Sequence, residues 1–233
     1  MTFEEYKARA IEDLDRAFEA GKAQSGGSDN VQWWTDFVNG CQAAGTWEYS
    51  LGGRGINDKT FNLPFDIKPN TAATMFYRTG ITDLKSLVEK LGITIDFSNA
   101  TSANSTFNLS KVTRLPKLDF RKATTLGSTF ASCTDLVSIE ELSVSRAVTN
   151  AFTGCTALEE IRIGSNLVAS FNIADCASLS AQSIDDIINH LGGTATCTLT
   201  LPSVAPTTYD VEYGAGSFEE KVSLKPSNWT IAY

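Results

Sequence analysis

Between residues 94 and 171 the chain repeats one hydrophobic pattern. "TIDFSNATSANSTF" (94–107), "KLDFRKATTLGSTF" (117–130), "ELSVSRAVTNAF" (141–152) and "EIRIGSNLVASF" (160–171) each open on alternating residues, cross a polar turn and close on phenylalanine. Alternation predicts a short strand with one face buried. Ile95 and Phe97, Leu118 and Phe120, Leu142 and Val144, and Ile161 and Ile163 are the expected inward residues. Asp96, Lys117, Asp119, Glu141, Ser143, Glu160 and Arg162 are expected to point outward, in two columns on one exposed sheet face. The closing residues form a series of their own: Phe76, Phe107, Phe130, Phe152 and Phe171. Cys133, Cys155, Cys176 and Cys197 follow at intervals of 22, 21 and 21 residues.

The flanks carry helical patterns. Residues 2–18 place Phe3, Tyr6, Ala10, Ile11, Leu14, Ala17 and Phe18 on one face behind a capping box of Thr2 and Glu5. This helix is expected either to anchor or oligomerise the protein or to lie on the chain's own core. "SDNVQWWTDFVNG" predicts a second helix whose Trp33, Trp34 and Phe37 cover a core end. "TDLKSLVEKLG" predicts a third, capped by Thr82 and stopped by Gly92. "SIDDIINHLGG" predicts a fourth, with Ser183 as cap and Asp185 and Asp186 at its positive end. Beyond residue 202, "YDVEY", "KVSLK" and "NWTIAY" alternate and read as short strands broken by prolines.

A period of about 20–25 residues is that of leucine-rich-repeat solenoids, whose coils stack because one coil cannot bury its own apolar face. The expected fold is therefore an α/β solenoid of stacked coils with short parallel strands, an N-terminal helical cap and a short β-rich C-terminal segment. The expected divisions are residues 1–24 (amphipathic helix), 25–74 (helical or irregular cap), 75–201 (repeats) and 202–233 (a β cap or a separate tip).

"AFTGCTALEEIRI" and "TFASCTDLVSIEEL" resemble the BspA-like leucine-rich repeats, which read roughly Phe-x-x-Cys-x-x-Leu-x-x-Ile. With "WWTDFVNGCQAAGTWEYSL", "MFYRTGITDL" and "LSAQSIDDIINHLGG", the chain is similar over about residues 30–201 to a version common in phages and prophages of gut bacteria. The resemblance implies a recognition or structural module of a virion or bacterial surface and no catalytic residues. Its partners would be other virion proteins or a host surface receptor, and a virion would be its location, with a bacterial surface adhesin as the alternative.

Composition adds exclusions. With 233 residues, 42% hydrophobic and 20% charged, the chain can bury a sizeable core. A net charge of -8 and the lack of a Lys/Arg run argue against nucleic acid. The opening "MTFEEYKARA" lacks the apolar run of a secretory signal, and no stretch is long and apolar enough for membrane insertion. There are five cysteines and no CxxC pair; the four at equal spacing are expected to be stacked, buried and reduced, with no metal and no cofactor. His190, the single histidine, has no nucleophile elbow to serve. Asp96 and Asp119 are the one carboxylate pair worth weighing for glycoside hydrolysis, on a face otherwise expected to be solvated. The exposed columns are thus the expected binding surface of a non-enzymatic protein.

Overall fold

The computed structural model describes Leu51, residues 56–59, Phe61 and residues 66–233. The expected helices over residues 2–18 and 28–40, with Trp33, Trp34, Phe37 and Cys41, lie outside the described residues, as does an assembly role for residues 1–24. Within them the chain is an α/β protein with two all-parallel three-stranded sheets and four helices.

The first sheet is β1 (Arg114–Asp119), β2 (Ser138–Ser143) and β3 (Glu160–Ile163), in chain order. Helix α1 (Leu84–Leu91) precedes it and α2 (Ala181–Asn189) follows it. The second sheet is β4 (Phe171–Asn172), β5 (Cys197–Thr200) and β6 (Trp229–Ala232). Between β5 and β6 lie α3 (Ala205–Tyr213) and α4 (Ser217–Ser223).

The phenylalanine series is one continuous row. Ring centroids lie 5.1 Å apart for Phe76–Phe107, 5.7 Å for Phe107–Phe130, 4.9 Å for Phe130–Phe152 and 5.8 Å for Phe152–Phe171. The first three of these pairs are stacked, and each ring is essentially buried. Offset aromatic stacking adds about 0.5–1.5 kcal/mol per pair beyond area burial.

A backbone device holds each ring. Thr74 and Arg78, Ser105 and Leu109, and Ser128 and Ser132 flank Phe76, Phe107 and Phe130 two residues before and after, all with φ between 54° and 59°. Left-handed backbone costs a non-glycine residue on the order of 1 kcal/mol. What offsets it is an alternating pattern of amide bonds. The N–H groups of Thr74, Phe76 and Arg78 donate to the carbonyls of Asn104, Thr106 and Asn108 in the next unit. Those of Met75 and Tyr77, in between, close turns onto Ala72 and Thr74. Ser105, Phe107 and Leu109 repeat this onto Gly127, Thr129 and Ala131. The donors all run from the earlier unit to the later one, and Gly154 N–H at the far end meets the Asp175 carboxylate at 2.8 Å.

Two of the thiols, Cys133 and Cys155, belong to the same device. Cys133, Cys155, Cys176 and Cys197 are free and buried. Cys133 Sγ donates to Phe107 O at 2.9 Å and Cys155 Sγ to Phe130 O at 3.0 Å. Thr79 and Ser110 occupy the same place three residues after Phe76 and Phe107, and both are buried. The position thus asks for a small side chain with a donor.

Several expectations fail. Residues 94–97 form no strand: Ile95 makes a single bridge to Ile67, and Asp96 caps a 3-10 turn over Phe97–Asn99. Asp83 rather than Thr82 caps α1, accepting the Ser86 N–H. Ser180 rather than Ser183 caps α2, so Asp185 and Asp186 lie in its middle. The C-terminal segment is not β-rich: "YDVEY" is helical, "KVSLK" begins as the last turn of a helix, and only "NWTIAY" supplies a strand. Pro206 falls in the first turn of α3, where a missing N–H breaks no helical bond. The segment shares the core of the repeats through Tyr209, Phe218 and Trp229.

Candidate functional site

The first sheet has no bare edge. Asp83 bridges to Arg114 beside β1. Along β3, Ser183 Oγ accepts the Ile161 N–H at 3.0 Å and Asp186 Oδ2 accepts the Ile163 N–H at 2.6 Å. Side chains of α2 therefore do for β3 what a further strand would do. Ser183 is internal to the helix for this reason: its hydroxyl is spent on the sheet.

The register of the sheet changes at its centre. Lys117 faces Glu141 and Asp119 faces Ser143 across β1 and β2, as the columns require. Between β2 and β3, Ile139 faces Ile161 but Leu142 faces Ile163, so three steps of β2 match two of β3. A bulge of this kind bends a strand and redirects side chains. Ahead of the bulge, Glu160 sits opposite Ser138 rather than continuing the row of Lys117 and Glu141. Ser143, expected to point outward, is buried. Gly164 explains how close the chain passes: a Cβ there would lie 2.5 Å from both Glu141 Oε1 and Ser143 Oγ.

All seven expected surface residues nevertheless border two adjoining depressions that share Lys117 and Glu141. The larger is a groove of about 780 Å³ over the sheet, bordered by Lys85 of α1 and by Gln182 and Asp186 of α2. Glu140 pairs with Lys85 at 3.2 Å and Glu141 with Lys117 at 3.4 Å. The bulge makes this division possible by putting two successive carboxylates on the sheet. Arg162 on β3 is exposed and makes no ion pair with any described residue. The contributions of Lys85, Glu140, Gln182 and Asp186 were missed in the sequence, because neither the bulge in β2 nor the docking of α1 and α2 beside the sheet leaves a local signal.

The smaller depression holds Asp96 and Asp119. Hydrogen bonds from Ser98 hold the Asp96 carboxyl below the usual range, helped by Lys68 at 3.6 Å. Arg121 does the same for Asp119, donating from Nε at 2.9 Å and Nη2 at 2.6 Å and outweighing partial burial. Both groups are therefore ionised near neutral pH, and neither has the raised pKa of a general acid. Burial pushes the Cys133 thiol up to about 11 and Cys176 to about 12, and raises Cys155 further. Such thiols are protonated and inert. His190 ends α2 with Nδ1 2.7 Å from the Asp186 carbonyl oxygen. Among the described residues no group of three or more His, Cys, Asp or Glu side chains is placed to hold a metal ion, and no helix is long and apolar enough to cross a membrane.

No family model matches the chain, and neither the curated proteins nor the solved structures searched contain a match.

Proposed function

We propose that the chain is a non-enzymatic binding module, built as a leucine-rich-repeat-like solenoid, that docks a protein partner in the groove over β1–β3. The observation that carries this reading is the Arg162 guanidinium, exposed and unpaired among the described residues, in a groove where Glu140 and Glu141 are already paired with Lys85 and Lys117. An unpaired arginine suits bidentate recognition of a carboxylate. Glu160, one face-residue away, suits a cation on the same ligand. The stacked units keep this surface preorganised, which lowers the ordering cost of binding. The ionised Asp96 and Asp119 and the inert thiols favour binding over catalysis. The resemblance of the repeats to BspA-like proteins of phages supports a virion as the setting, as a tail-fibre, tail-tip or head-decoration component; an adhesin on a bacterial surface would use the same groove.

Panning the protein against random linear peptides tests the groove. Enriched peptides are expected to carry an acidic residue and to lose about tenfold or more in affinity against Arg162→Glu. Enrichment indifferent to that change would remove the groove from the reading. Mass spectrometry of purified phage particles from a strain carrying the gene tests the setting, with the chain expected among the particle proteins.

A further inference from the structure

The two sheets treat their edges differently. Both edges of the first are covered, by Asp83 on one side and by Ser183 and Asp186 on the other. The second has the order β4-β5-β6, which leaves β6 outermost. Its parallel pairing uses Asn228, Thr230 and Ala232, as seen in Cys197 N–H to Asn228 O at 3.0 Å and Leu201 N–H to Ala232 O at 2.8 Å. Trp229, Ile231 and Tyr233 therefore turn their backbone groups away from β5. The Trp229 N–H is already used by Pro226 O at 3.0 Å. The remaining groups on this edge are the carbonyls of Trp229 and Ile231 and the amides of Ile231 and Tyr233, none bonded within the described residues.

From this edge we infer that the protein forms a two-fold dimer by antiparallel pairing of β6 with β6 of a second copy. The free groups are complementary to themselves about an axis at Ile231. The two Ile231 residues exchange N–H and C=O, and each Tyr233 N–H reaches the opposite Trp229 C=O. The one amide this register leaves out, that of Trp229, is the one already satisfied. A symmetric interface requires such self-matching of one patch, and a foreign strand would not. The edge also lacks the usual guards against pairing. "WTIAY" has no charge, proline or bulge. Tyr233 is 66% exposed, and Val211 and Leu224 of the same segment are exposed above 80%. Joining the copies would make one six-stranded sheet from two of three strands.

The experiment is sedimentation of the full chain from micromolar to near-millimolar concentration, beside Ile231→Pro and Thr230→Lys. Proline removes only an outward N–H and is tolerated on edge strands; lysine sets like charges near each other across the axis. The wild type is expected to reach twice the monomer mass, and each variant to weaken association at least tenfold with an unchanged circular dichroism spectrum. A wild type that stays monomeric, or association unaffected by both substitutions, overturns the inference. Should either variant unfold, hydrogen exchange on the wild type decides: protection of the Ile231 and Tyr233 amides that rises with concentration supports the dimer, and fast exchange at every concentration defeats it.

Discussion

The repeats and the C-terminal segment are stabilised in opposite ways. From Phe76 to Phe152 the contacts recur: a stacked ring and amide bonds to the next ring segment, with a small buried donor three residues after each ring. From β5 onward no contact recurs. Trp229 is almost wholly buried and donates from Nε1 to Gly192 O at 2.8 Å. Asp185 of α2 gathers Tyr209 Oη at 2.8 Å, Lys221 Nζ at 2.6 Å and Asn189 Nδ2 at 2.8 Å, tying both α3 and α4 to the repeats. In the first region each ring packs on the rings to either side, so damage to one is expected to reach both neighbours. In the second, stability is concentrated in one carboxylate and one indole, so damage stays local.

The largest effect expected from this contrast is Phe130→Ala. The ring sits between Phe107 and Phe152, and its loss should cost about 3–5 kcal/mol, read by urea denaturation, through a cavity shared by both neighbours. An unchanged midpoint would break the idea of a coupled row. Asp185→Ala should come next, at about 2–3 kcal/mol, because it strands a half-buried lysine and a buried tyrosine. Hydrogen exchange should then rise over residues 205–223 while the amides of Phe107 and Phe130 stay protected. Equal loss in both places would mean that the two regions unfold as one.

Acid should reproduce part of that second effect. Burial raises the Asp185 pKa, but Lys221, Tyr209 and Asn189 outweigh it and hold the carboxyl below its ordinary value. A folded pKa below the unfolded one gives stability that is complete above the unfolded value, about 3.9, and is lost as pH falls through the folded one. The C-terminal helices should therefore loosen below about pH 4, before the repeats do, and Asp185→Asn should flatten that dependence. The smallest change expected is Cys133→Ser, under about 1 kcal/mol, since Ser110 fills the equivalent place one unit earlier and a hydroxyl can still donate to Phe107 O. A larger loss by thermal denaturation would show that sulfur packing, rather than the donor, governs the position.

The legibility of the two regions in the sequence follows the same line. The phenylalanine row, the buried thiols and the inward residues Leu118, Leu142, Ile161 and Ile163 could be read directly, since each occupies an environment that repeats. The register of β3 could not. Glu160 pairs with Ser138, three residues before the expected Glu141, and one extra residue follows in β2 between Ile139 and Leu142; no sequence pattern marks either. The helix α3 was misread for a different reason. Its apolar residues gather on no single face, and "YDVEY" alternates as a strand would. Only the seating of Tyr209 against Asp185 shows why it coils.

Sequence alone thus determined the spacing of the phenylalanines, the ring row and which residue types face the core, because each ring meets the rings before and after it in similar surroundings. The tertiary structure decided the bulge in β2, the use of α2 in place of a strand, the helical C-terminal segment and the bare edge of β6. Each of these depends on a partner that occurs once, at a distance along the chain that no local pattern encodes.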